Sequence, residues 1–100
     1  MLCLNKANKI VGFYNVSNGG RSSTIVDPKI IFTVSLKCAS SSIIIAHNHP
    51  SGSLIPSSQD KTITRKIKEG GDILEIKLLD HLIVSSKGYY SFAEGTSLLD

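Results

Sequence analysis

The apolar positions of this chain fall into short blocks separated by polar or glycine-rich stretches, never into one long run. Residues 43–46 read Ile-Ile-Ile-Ala, a β-branched block bounded by polar residues, as expected of a buried central strand. Upstream, residues 1–4 and 10–16 are apolar and flank a polar turn at 5–8, a pattern that predicts a hairpin. Four residues make a marginal strand, so the abrupt start is expected to mark a truncated first strand. Asn18-Gly19-Gly20 ends the second strand, and residues 21–26 are expected to be a connector.

Asp27-Pro28 has the form of an N-cap followed by a first-turn proline. Ile30, Ile31, Val34, Leu36 and Cys38 then predict a core helix reaching about Ser40. A second helix is predicted over 59–69, with Ile63 and Ile67 on one face and Gly70-Gly71 as its left-handed stop. Residues 73–76 read as a short extended piece. Residues 78–84 read as a buried strand interrupted at Asp80-His81, and a turn at 86–88 leads to a last strand over 89–92. Tyr89 and Tyr90 fit that strand better than they fit base-stacking platforms, and the tail from Glu94-Gly95 is expected to fray. Strands alternating with two helices give an α/β sandwich with a mixed sheet.

Composition narrows the picture. One hundred residues with 41% hydrophobic content suit one domain, residues 1–100, able to bury a core without staples. Two cysteines, Cys3 and Cys38, are too few for a disulfide scaffold and are read as reduced, cytoplasmic core thiols. No apolar run approaches the roughly 18 residues of a membrane helix and no basic segment precedes a signal-like stretch, so a soluble cytoplasmic protein with no membrane partner is expected. Asn15-Val16-Ser17 matches a glycosylation sequon, which has no consequence in that compartment. The net charge of +3 permits nucleic-acid contact. Its local source is Lys61, Arg65, Lys66, Lys68 and Lys77, read as a solvated face opposite Ile63 and Ile67 in preference to a DNA stripe, so DNA binding is expected to be weak or indirect.

The chemistry concentrates after the central strand. Side chains two apart on an extended chain point the same way, so His47 and His49 project together from its end. A loop rich in proline, glycine and serine turns the chain back, and Ser57 and Asp60 lie three apart at the start of the second helix. Two imidazoles and a carboxylate make a three-ligand set that suits Zn²⁺ and leaves a position for water, whose pKa such a metal lowers from about 16 to about 7. Ser57 would then donate to a developing oxyanion. Ser57 and Asp60 equally suit a simple capping box, with Asp60 favoured by the helix dipole. His81, inside an apolar run beside Asp80, reads as a hydrogen-bonded residue orienting a neighbouring carboxylate or carbonyl; a fourth ligand is the other reading. The consecutive His47-Asn48-His49 is not the dispersed histidine–asparagine set of HNH nucleases.

His47-Asn48-His49-Pro50-Ser51-Gly52 resembles the signature of the RadC proteins, within the JAB/MPN (JAMM) group of zinc metallopeptidase-like domains. His47, His49, Ser57 and Asp60 fall on that group's His-x-His-Pro…Ser-x-x-Asp pattern, and residues 78–84, Leu-Leu-Asp-His-Leu-Ile-Val, are similar to a recurrent RadC strand. The resemblance extends through nearly the whole chain. It implies a three-layer α-β-α, cytidine-deaminase-like arrangement and hydrolysis of a peptide or isopeptide bond in a protein or peptide substrate. The historical RadC label implies the alternative, a non-catalytic or accessory DNA-repair-associated module. The resemblance also implies a first-strand glutamate as general acid/base, and none matches here: Glu69, Glu75 and Glu94 all follow the metal motif. Catalytic impairment of the chain as written is therefore expected.

Overall fold

The apolar blocks become strands where β-branched residues dominate and helices where caps precede them. In the computed structural model, which describes residues 1–15, 27–49 and 51–99, these are β1 (Leu2–Leu4), β2 (Ile10–Phe13), α1 (Pro28–Lys37), β3 (Ser42–Asn48), α2 (Ser58–Leu74), β4 (Lys77–Ser85), β5 (Gly88–Ser91) and α3 (Phe92–Gly95). The expected strand end at Val16, the Asn18-Gly19-Gly20 stop and the connector over 21–26 lie outside the described residues. The strands form one sheet in the order β2-β1-β3-β4-β5. β3 and β4 run parallel and every other pair antiparallel, so the sheet is mixed and the α/β class holds.

α2 is the crossover between the parallel pair, which brings its first turn to the carboxyl end of β3. Beneath it, Cys3 of β1, Ile31 of α1, Ile43 and Ile45 of β3, Ile67 of α2 and Leu78 of β4 share one core, with Ile63 and Cys38 packed against it. Cys3 is fully buried and Cys38 half-buried, and both are free thiols. Among the described residues, no helix is long and apolar enough to cross a membrane.

Four local expectations change. The strand over 78–84 is not interrupted at Asp80-His81. It is continuous from Lys77 to Ser85, with a bulge one residue earlier: Ile43 faces Leu78 and Ile44 faces Asp80, so Leu79 is the extra residue. Because an inserted residue reverses the alternation, Leu78, His81 and Ile83 all share the face of Ile43, Ile45 and His47.

The second helix does not stop at Gly70-Gly71 but continues to Leu74, so Ile73 and Leu74 form its exposed last turn and no extended piece. The two glycines serve close packing. A Cβ on Gly70 would lie 2.8 Å from the Phe32 ring of α1, and one on Gly71 would strike the Ile76 carbonyl. The left-handed position falls instead on Glu75, at φ 58°, and the Ile76 N–H then donates to the Gly71 carbonyl at 2.8 Å.

The tail from Glu94-Gly95 does not fray at once, and Phe92 does not belong to the last strand. It starts α3, whose N-cap Ser91 accepts from the Glu94 N–H and whose Ala93 N–H donates to Asp80 at 3.0 Å. Finally, α1 buries a single stripe, Ile31 and Ser35, opposite the exposed polar positions Lys29, Thr33 and Lys37, and leaves Ile30 and Leu36 exposed. The polar sector marks the outer face, while apolar residues on its flanks, Ile30 and Leu36, stay outside the core.

Candidate metal centre

The carboxyl ends of the parallel strands and the first turn of α2 meet at one place, the position where open α/β sheets bind ligands. His47 lies within β3, and His49 follows it by one turn of the pleat, held by its backbone N–H to the Val84 carbonyl of β4 at 3.1 Å. Gly52, at φ 81°, turns the chain back and donates to the His49 carbonyl. Such a conformation suits a residue without Cβ.

On the other side, Ser57 caps α2. Its hydroxyl accepts from the Asp60 N–H at 3.0 Å, while the Asp60 carboxylate accepts from the Ser57 N–H at 2.7 Å. The capping reading is therefore correct as local structure. It does not exhaust Asp60, because the same carboxylate faces both imidazoles: Oδ1 lies 3.2 Å from His47 Nε2 and Oδ2 lies 3.1 Å from His49 Nε2. The cap holds the carboxylate at the meeting point of the two histidines.

The donor atoms of His47, His49 and Asp60 all lie within 4.8 Å of one another. Ligands about 2.0–2.1 Å from a tetrahedral Zn²⁺ stand about 3.3 Å apart, so the spacing fits such an ion. Proton bookkeeping points the same way. The Ser53 carbonyl can only accept, so the His49 Nδ1–H donates to it at 2.9 Å, and in the neutral ring Nε2 presents its lone pair to Asp60. A lone pair facing a carboxylate needs positive charge between them, from a proton or from a metal cation.

Burial pushes the His47 imidazole below its ordinary value, opposed by the Asp60 charge and reinforced by His49, which disfavours the proton there. For Asp60, burial alone would raise the carboxyl, but the hydrogen bonds of Ser57 and the two histidine charges outweigh it and hold the group below its usual value. An ionised carboxylate beside a ring that resists protonation is a donor set suited to a divalent cation.

His81 is not among the atoms that converge on Asp60. Its ring is 1% exposed, stacks on Phe92 at 5.0 Å, and bonds His47 Nδ1 at 2.9 Å and Thr64 Oγ1 at 2.6 Å. Burial, and then the His47 charge, push its pKa down to about 4. The orienting role expected of it thus falls on an imidazole, not on a carboxylate or carbonyl. No motif in the sequence marks Thr64. Its one signal is its place a helical turn after Asp60, on the same face.

Glu69 on α2 and Glu75 just past its end lie about 13 and 22 Å along the axis from Asp60, by the helical rise, so neither reaches the site. Tyr89 and Tyr90 are β5 residues, as expected, with Tyr89 exposed.

Comparison with known proteins adds an independent line. The sequence model described as the RadC-like JAB domain matches residues 1–97. A UPF0758 protein of Flavobacterium johnsoniae is 47% identical over 94 residues, covering 94% of this chain and 41% of its own length. A UPF0758 protein of Thermotoga maritima is 36% identical over 94 residues, covering 94% of this chain and 42% of its own. One from Chlorobaculum parvum is 40% identical over 98 residues, covering 98% and 44% respectively. The chain thus spans about two fifths of the length of the curated relatives it matches.

Proposed function

The chain belongs to the RadC-like JAB domain family, and from that premise we propose that it is a zinc-dependent hydrolase domain acting on peptide or isopeptide bonds. The observation that carries the reading is the convergence of His47 Nε2, His49 Nε2 and the Asp60 carboxylate, with the His49 lone pair turned toward the carboxylate by the Ser53 carbonyl. These three residues would hold the ion. When bound, it supplies a water nucleophile at neutral pH and polarises a substrate carbonyl.

The protein's own residues supply position and polarity. Ser57 sets the Asp60 carboxylate through the capping box, and its hydroxyl, at the open start of α2, is the proposed donor to the oxygen of the substrate as charge develops there. His47 and His49 are fixed by strand register and by the loop at Gly52.

The general acid/base of this reading is a glutamate on an extended first strand. Leu2 pairs with Ile44 in antiparallel register, so a longer chain extending β1 would run beside Ala46 and His47. A glutamate there would lie beside the end of β3 that carries His47. Extending β1 of this chain by a designed segment that bears such a glutamate should raise chelator-sensitive hydrolysis of a peptide library by about 10²- to 10⁴-fold at unchanged zinc content. Equal hydrolysis by the short and extended proteins would contradict the assignment.

A further inference from the structure

Behind the three proposed ligands runs a second set of contacts that joins the same elements. Thr64 Oγ1 lies 2.6 Å from the Asp60 carbonyl and 2.6 Å from His81 Nδ1, and His81 Nε2 lies 2.9 Å from His47 Nδ1. Thr64 is fully buried and His81 is 1% exposed, so water does not compete for these groups. The direction of every proton in the chain can be worked out from one end.

The Asp60 carbonyl can only accept, and a threonine hydroxyl has one proton, so Thr64 donates to that carbonyl. Its oxygen then faces His81 as an acceptor, and His81 must donate from Nδ1. A neutral imidazole has one N–H, so with Nδ1 donating to Thr64 the Nε2 of the buried His81 ring carries a lone pair. That lone pair accepts from the Nδ1–H of His47. The last consequence falls on the other nitrogen: His47 Nε2, 3.2 Å from Asp60 Oδ1, is left with its lone pair turned into the metal centre.

We propose that Thr64 and His81 are positioning residues of the metal centre, a one-directional hydrogen-bond chain from the Asp60 carbonyl to His47 Nδ1 that fixes His47 in its metal-ligating tautomer and ties the β3 ligand to the α2 ligand through β4. The proposal rests on the metal reading given above, and deepens it. Thr64 sits one turn after Asp60, and the β4 bulge at Leu79 turns His81 to the His47 face, so the hydrogen-bond chain exists because a regular helical spacing meets one irregularity of the sheet. His49 needs no such support, since the Ser53 carbonyl performs the same service from a loop. The two histidine ligands are therefore set by different devices, one from the backbone and one from side chains.

The test uses two readouts. The first is the tautomer of His81, read from ¹⁵N imidazole shifts of the unmodified protein above pH 7, with and without zinc. The second is zinc affinity, measured by competition with a chromophoric chelator for the unmodified protein, Thr64→Val and Thr64→Ser. The expected results are the Nδ1–H tautomer of His81 in both states, a loss of about 10- to 100-fold in zinc affinity for Thr64→Val, and recovery close to the unmodified value in Thr64→Ser, which keeps the hydroxyl. An Nε2–H tautomer of His81, or unchanged zinc affinity in Thr64→Val, would overturn the proposal. The tautomer readout needs no metal and no variant. An unmodified protein that binds no zinc would therefore defeat the metal reading while the hydrogen-bond chain was still judged by His81 itself.

Discussion

At the scale of single residues, what the sequence made legible is what local geometry decides. His47 and His49 share a face because strand side chains alternate, and Ser57 and Asp60 pair because helix starts need caps. Neither inference requires knowing the fold. His81 and Thr64 were beyond such reasoning, because their meeting depends on which strand lies beside β3 and on the bulge that sets its register. The burial of His81 also has a pH signature. In the metal-free protein its imidazole titrates at about 4, whereas the unfolded chain takes up the proton near the ordinary 6.5. Its contribution to stability is therefore complete above pH 6.5 and lost as the pH falls toward 4, an effect of about 3 kcal/mol in order of magnitude. Burial shifts His47 in the same direction, so it adds to the slope. Urea unfolding of chelator-treated protein at pH 7.5 and 4.5 should show this loss, and His81→Gln should flatten much of it. A stability unchanged across that range would contradict the buried, neutral state.

At the scale of elements, caps were legible and packing was not. Asp27-Pro28 and Ser57 begin their helices where expected, since each signal is complete within a few residues. Gly70-Gly71 misled because the same residue type serves two purposes, a left-handed stop or a close approach, and only the neighbours Phe32 and Ile76 distinguish them. Adding a methyl at Gly71 should destabilise the protein by about 1–3 kcal/mol, against the gain of about 1 kcal/mol that alanine brings to an open helix position. Glu75→Gly should stabilise it by about 1 kcal/mol by relieving the left-handed residue at φ 58°. Chemical denaturation midpoints of the two variants check both signs. A more stable Gly71→Ala protein would mean that Gly71 does not sit against the Ile76 carbonyl.

At the scale of the whole molecule, the alternation of strand and helix gave the α/β class, while the order of strands and the parallel β3–β4 pair needed the structure. Charge behaves as a surface property. Lys61, Arg65 and Lys66 are exposed along α2 while Lys68 pairs with Asp72 at 2.9 Å, so that helix offers phosphates three dispersed cations and no dense stripe. Short DNA should accordingly bind weakly, without sequence preference and with a steep loss on adding salt. Fluorescence anisotropy showing sub-micromolar binding at physiological salt would favour a nucleic-acid role instead.

The central claim is that His47 and His49 from the β3 end and Asp60 from α2 close on one metal ion. Its most direct test is zinc content by elemental analysis, with folding followed by circular dichroism, for the unmodified protein and for His47→Ala, His49→Ala, Asp60→Ala and Ser57→Ala. Stoichiometric zinc is expected in the unmodified and Ser57→Ala proteins, and loss of most of it in the other three, because two remaining protein ligands do not fix an open tetrahedral site. A folded Asp60→Ala protein that keeps its full zinc would contradict the account and leave Asp60 as a helix cap alone.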